Sequence, residues 1–258
     1  MSDGPDGRIR FFDCNMRIGR AGIIRPEHIL DNAGLLGEMD YAGIDSALVY
    51  HAWSQEWDAG GGNAQLLTEL DKCGRFYPAF VPLPHATQEL TSPAEFADDV
   101  RQRHGAARLY PKAHGYSLSE WCSGEMLGAL EARGVPVLIE MAQTGWDELA
   151  SVLAAHPNLP VILLATSYRI NRSIYPLFEK FDNLYLETAT FQIMRGIEDV
   201  CRKFGPQHLV FGTGLPLLDA GGPIAQITYA ELPLEHKRMI AGETLAGLLG
   251  LDNWGGVA

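Results

Sequence analysis

Short apolar runs alternate with stretches of helical periodicity along the whole chain. Eight runs have strand length: Ile9 to Asp13, Ser46 to Tyr50, Phe76 to Val81, Ala106 to Pro111, Val135 to Glu140, Val161 to Thr166, Leu184 to Thr188 and Leu209 to Gly212. Several are apolar on both faces, as strands held between a barrel interior and a helix layer must be. Helix signals fill the gaps. Ser92-Pro93-Ala94-Glu95 reads as a capping box with proline in the first turn, and Thr144-Gly145-Trp146-Asp147 as a similar start. Asn63 is expected to cap a helix over Ala64 to Cys73, where Leu66, Leu67, Leu70 and Cys73 recur at helical spacing before Gly74. Gly43, Gly134 and Gly205 each close a helix ahead of the next strand, and a last helix is predicted from about Leu234 to Leu249.

Such alternation implies parallel strands joined by right-handed crossovers. The expected fold is α/β, a (β/α)8 TIM barrel forming one domain over residues 1–258, with 1–7 a flexible lead-in. An open doubly wound sheet is the competing arrangement. Eight evenly spaced units without a Gly-x-Gly-x-x-Gly loop after the first strand favour closure. The length of 258 residues agrees, since such barrels take ~250.

Composition narrows the function classes. A net charge of −12 with no basic stripe excludes a nucleic-acid binder. Apolar runs such as Val161 to Ala165 are far shorter than a membrane span, and MSDGPDGRIR has no apolar core of a leader, so a cytoplasmic protein without membrane partners is expected. Cys14, Cys73, Cys122 and Cys201 stand far apart and read as free thiols, with Cys14 a candidate reactive group near the barrel mouth. The ring of helices leaves surface for a homodimer.

In a barrel the chemistry sits at the carboxyl ends of the strands. There the sequence places Asp13, Asn15 and Arg17 on one face of the first strand, then His51 and Trp53 after the second. Arg108, Tyr110 and Lys112 share a face of the fourth, followed by His114; Glu140, Thr166 and Glu187 end the next three, and Tyr168 follows the sixth. Each has a plain structural reading too: Asp13 bonded to backbone, Glu187 paired with a neighbouring cation, Tyr110 in the core, Lys112 in solvent. Arg17 and Glu140 stand out, because an inward charge is costly unless paired or used.

The order of segments resembles the amidohydrolase-related branch of the amidohydrolase superfamily over nearly the whole chain. Phe12-Asp13-Cys14-Asn15-Met16-Arg17-Ile18-Gly19 is similar to its opening Asp-x-His-x-His-x-Gly. Gly62-Asn63, Arg75-Phe76-Tyr77-Pro78, Arg108-Leu109-Tyr110-Pro111, Phe211-Gly212-Thr213-Gly214-Leu215-Pro216 and Gly242 to Leu251 resemble further family elements in the correct order. The resemblance implies a divalent metal, with ligands or assisting groups at positions held here by Asn15, Arg17, Glu140, Thr166 and Gly214. Only Glu140 is a good ligand. A guanidinium has no lone pair to offer, and at ~4 Å from a divalent ion and a dielectric of ~20 Arg17 would repel it by about 8 kcal/mol. The expectation is therefore no metal or other cofactor, with zinc or another divalent ion the alternative. Of the eight histidines, His51, His85 and His114 are expected at the catalytic end, and His28, His104, His156, His208 and His236 away from it.

The preferred reading is a metal-independent hydrolase or lactonase for a small, anionic substrate. In it Arg17 and Arg108 clamp a carboxylate with Asn15, Tyr110 and Lys112 nearby. Glu140 or Glu187 acts as general base, and His114 or His51 as proton donor. Tyr50, Trp53, Trp57, Tyr116, Trp121 and Tyr168 suggest an aromatic wall beside Thr166. The alternatives are an inactive barrel binding a small anion or partner, and a metal-dependent hydrolase or decarboxylase with a relocated site built from groups such as His51, His114 and Glu140.

Overall fold

Each of the eight apolar runs becomes a strand that pairs in parallel with its successor. The strands are β1 (Phe12–Ile18), β2 (Ser46–His51), β3 (Phe76–Phe80), β4 (Ala106–Leu109), β5 (Val137–Glu140), β6 (Val161–Leu164), β7 (Leu184–Glu187) and β8 (Leu209–Val210), in that spatial order. This computed structural model describes residues 8–23, 31–251 and 254; the lead-in expected at 1–7 and His28 lie outside them. The first strand meets the segment after the last: the Cys14 N–H donates to the Phe211 carbonyl at 3.0 Å, Gly214 to Asn15 at 3.1 Å and Arg17 to Leu215 at 2.9 Å. That seam makes a barrel of the sheet and rules out the open doubly wound alternative.

Alternation sorts the strand residues into two apolar layers. Leu48, Ala79, Ala106, Leu138, Ile162 and Val210 fill the interior, whereas Val49, Leu109, Ile139, Leu163 and Leu186 face the helices. The floor is closed by the C-terminal helical segment, whose Leu245 and Leu249 join the interior cluster, and by Trp254, stacked 5.1 Å from Phe12. Gly242 is needed there, since a Cβ would lie 2.3 Å from the Trp254 ring. The helix expected over Leu234 to Leu249 contains a π turn at Met239–Glu243, where the Ile240 carbonyl accepts from the Phe211 N–H at 2.9 Å.

Several boundaries differ from the sequence reading for local reasons. β5 starts after Pro136, which has no N–H to give a ladder. β4 stops before Pro111, which opens the short helix Pro111–His114. β6 stops before Ala165, which adopts φ 49°. Asn63 is not a cap: the helix Ala59–Leu70 begins earlier, and the Asn63 amide exchanges two 2.9 Å hydrogen bonds with the Val81 backbone, tying that helix to the end of β3. The capping box at Ser92 and Glu95 forms as expected. No described helix is long and apolar enough to cross a membrane.

Candidate functional site at the barrel mouth

The first strand carries an irregularity that decides the site. Asp13 pairs with Ala47 but Met16 with Val49, so three steps on β1 oppose two on β2. This bulge breaks the simple alternation, and Asp13 does not share a face with Asn15 and Arg17. Cys14 packs in the interior cluster, and the adjacent Asn15 also reaches inward. Asp13 turns to the β8 seam, accepting from the Thr213 hydroxyl and from the Asn15 N–H.

Arg108 is the centre of what Asn15 reaches. It is 2% exposed, and each of its three nitrogens has a partner. NH1 donates to the Asn15 Oδ1 at 2.7 Å, NH2 to the Glu140 Oε1 at 2.6 Å and Nε to the Tyr110 hydroxyl at 2.5 Å. Its Cζ also sits 4.0 Å from the centroid of Tyr50. The clamp expected from Arg17 and Arg108 together is thus corrected: Arg108 is committed to the protein. Asn15 passes the contact on through Nδ2, which donates to Glu187 Oε1 at 2.7 Å. The other oxygen of Glu187 accepts from the Ala165 N–H at 2.8 Å. Ala165 holds the left-handed conformation an L-residue avoids, so backbone strain goes into aiming that N–H.

The two glutamates consequently differ. Glu187 is buried with both oxygens occupied, and burial raises its pKa above the ordinary carboxylate range. Glu140 is held through one oxygen and its side chain is 23% exposed, facing the mouth. Burial pushes Asp13 up to about 7. Burial also drives the Cys14 thiol well above its usual range, which removes it as a reactive thiolate.

The lip is built from the segments after β1, β2, β4 and β6. Arg17 is 7% exposed, its Nε has no hydrogen-bond partner among the described residues, and the nearest described carboxylate, that of Glu56, stands 4.0 Å from Nη1. His51 caps the short helix Ala52–Glu56 by accepting the Trp53 N–H on Nδ1, so its ring proton lies on Nε2; burial lowers its pKa. That ring lies against Gly19, where φ is +85° and a Cβ would come 2.2 Å from Nε2. His114 donates Nε2–H to the Gln55 carbonyl at 2.9 Å, leaving Nδ1 buried without a partner. His114 thus spends its Nε2–H on the protein backbone.

Lys112 bridges the carbonyls of Ala142 and Thr144 at 2.8 and 3.0 Å, and so braces two loops instead of facing a ligand. Thr166 is buried with an unpartnered hydroxyl, while Tyr168 is exposed beside Arg169. Of the expected aromatic wall, Trp53 and Trp57 stand exposed side by side near His51, Tyr50 lies under Arg108, and Trp121 faces outward at 82% exposure. Glu56, Gln55 and the Ala165 N–H escaped the sequence reading. They lie in turns and a five-residue helix, with no motif to mark them.

A parallel barrel with ionisable side chains converging at the strand carboxyl ends is the architecture of a small-molecule enzyme. The chain belongs to the amidohydrolase family, whose pattern matches residues 12–251. A search of curated proteins gave no match. Among solved structures, a manganese complex of 5-carboxyvanillate decarboxylase from Novosphingobium aromaticivorans is similar at 11% identity, covering 96% of this chain and 97% of that one with a TM-score of 0.73. A 2,6-dihydroxybenzoate decarboxylase from Rhizobium matches at 15%, covering 95% and 100%, with a TM-score of 0.69. A Pseudomonas putida protein provisionally assigned as a 2-pyrone-4,6-dicarboxylic acid hydrolase matches at 13%, covering 95% and 99%, also with 0.69.

The expectation of no cofactor is overturned by these comparisons, because the Novosphingobium enzyme carries manganese. Asn15 and Glu140, at two of the family's ligand positions, each hold Arg108 through an oxygen. Arg17 offers only donors, Thr166 one hydroxyl and Gly214 no side chain. Among the described residues no group of three or more His, Cys, Asp or Glu could hold a metal ion, and a relocated set of His51, His114 and Glu140 does not form. The side chains as placed do not fit a divalent ion there, and no step below is routed through one.

Proposed function

We propose that the protein binds a small carboxylic acid at the barrel mouth and hydrolyses a lactone or ester bond within it. The observation that carries this reading is Arg17: a buried guanidinium whose Nε has no hydrogen-bond partner among the described residues and whose one described carboxylate neighbour, Glu56, stands 4.0 Å away. Leaving a buried charged donor unpaired costs several kcal/mol, so a carboxylate ligand there repays a debt in the free protein. The substrates named for the similar structures, 5-carboxyvanillate, 2,6-dihydroxybenzoate and 2-pyrone-4,6-dicarboxylate, are all small carboxylates, which supports the substrate class.

Glu140 is the group we assign as general base. Arg108 orients one of its oxygens, and the part of the side chain open to the mouth can take a proton from water. The water oxygen then adds to the acyl carbon. When the tetrahedral species collapses, the C–O bond to the leaving group breaks, and Glu140 returns the proton to the departing alkoxide. Glu187, closed in by Asn15 and Ala165, fixes the network instead of sharing in the proton transfer.

The test is Glu140→Gln, which keeps an oxygen for Arg108 but removes the base. With 2-pyrone-4,6-dicarboxylate and a panel of carboxylated lactones, kcat is expected to fall about a hundredfold while Kd changes less than about twofold. Arg17→Gln is expected to weaken binding about tenfold or more, the value of one charged hydrogen bond. A second reading, an anion-binding barrel without turnover, is favoured by the mutual commitment of Arg108, Asn15 and Glu187. Wild-type protein that binds these acids through Arg17 but turns none over would establish it.

A further inference from the structure

A cavity of about 330 Å³ opens between the segments that follow β7 and β8, on the same end of the barrel as Arg17 and Glu140. We infer that it is a subsite for the neutral, hydroxyl-bearing part of a ligand, such as the ring of a sugar lactone. Its volume is at the small end of ligand pockets, which run ~300–1,000 Å³. Its polar walls are Thr190, Gln192, Thr213 and Asp219, the rest of the lining is apolar, with Leu218 and Gly222 part of it, and no Lys, Arg or His among the described residues lines it.

The chemistry of those walls selects the ligand class. Asp219 accepts the Gly221 N–H at 2.7 Å, so a carboxylate already sits at the start of the helix Gly221–Thr228, where an anion would otherwise bind. A phosphate or carboxylate would meet this negative charge with no cation to offset it. A purely apolar group would take the Gln192 amide and the Asp219 carboxylate out of water without offering them a partner. Hydroxyl groups, which both donate and accept, satisfy Gln192 and Asp219 together. Thr213 is fixed in the wall, donating to Asp13 and accepting from the Leu215 N–H at 3.1 Å. The Leu215 carbonyl in turn accepts from the backbone of Arg17, which puts cavity and cation along one seam. Use of both by one ligand rests on the function proposed above, whereas the subsite itself does not.

The experiment is calorimetric titration with D-ribono-1,4-lactone, which is neutral and hydroxylated. Wild-type protein is expected to bind it. Gly222→Leu is expected to weaken binding at least tenfold by filling the cavity. Nothing lies within 4 Å of a Cβ built at Gly222, so the fold accepts the leucine. Gln192→Leu is expected to weaken binding by several-fold to tenfold, the worth of one hydrogen bond. No binding by the wild type, or wild-type affinity in both Gly222→Leu and Gln192→Leu, overturns the subsite. D-glucaro-1,4-lactone adds a carboxylate to the same ring and separates the two readings. If it binds no tighter than the neutral lactone, the role given to Arg17 fails while the subsite stands.

Discussion

Methionine in place of Arg108 is expected to lower the unfolding free energy by about 3–5 kcal/mol, the range for breaking a buried ion pair by removing one partner. The substitution keeps most of the side-chain volume and removes three hydrogen bonds at once, those to Asn15, Tyr110 and Glu140. It also strips the cation from the face of Tyr50. Arg108→Lys is expected to recover less than half of the loss, because an ammonium cannot reach three fixed acceptors in the geometry of a planar fork. Urea unfolding of the three proteins measures both effects. A loss below about 1 kcal/mol for the methionine variant would mean that Arg108 is a passenger in the interior and that Glu140 is not oriented by it.

The second large effect is on the pH dependence of stability. Asp13 goes from an ordinary 3.8 to about 7 on folding because it is buried at the β8 seam. The folded protein therefore keeps a proton that the unfolded chain releases. The contribution of Asp13 to stability is full at and below about pH 4, falls as the pH rises through the interval from about 4 to 7, and is level above it. The full interval corresponds to about 4 kcal/mol. Glu187, also raised by burial, acts with the same sign. Asp13→Asn cannot ionise, so its stability profile is expected to be flatter than that of the wild type between pH 4 and 7, with the two curves diverging as pH rises. Denaturation series at pH 4, 5.5, 7 and 8 check this. Parallel curves would show that Asp13 ionises freely in the folded protein, its hydrogen bonds from Thr213 and Asn15 outweighing its burial.

How much of this was readable from the chain depends on whether a feature is local. Strands such as Val161–Leu164 announce themselves by being apolar on both faces, and the capping box at Ser92 needs only four consecutive residues. The end of the barrel that carries the chemistry followed from topology. The bulge at Cys14 and Asn15 did not, since a period of two carries no sign of where it will slip. Nor did the pairing of Arg108 with Asn15, 93 residues away, which changes that arginine from a ligand-binding cation into a framework element. Lys112 reads as a mouth residue until Pro111 is seen to start a helix that turns it onto neighbouring carbonyls. Arg17 and Glu140 stand out in the sequence as charges needing a reason, whereas Glu56, which stands opposite Arg17, has no sequence signature.

The division of labour between the two arginines is the claim on which the proposed chemistry depends. A crystal structure with bound 2-pyrone-4,6-dicarboxylate tests it most directly. The expected result is a ligand carboxylate within hydrogen-bonding distance of the Arg17 guanidinium, with Arg108 still joined to Asn15 and Glu140. A carboxylate seated on Arg108 with Glu140 displaced, and Arg17 closed onto Glu56, would contradict it.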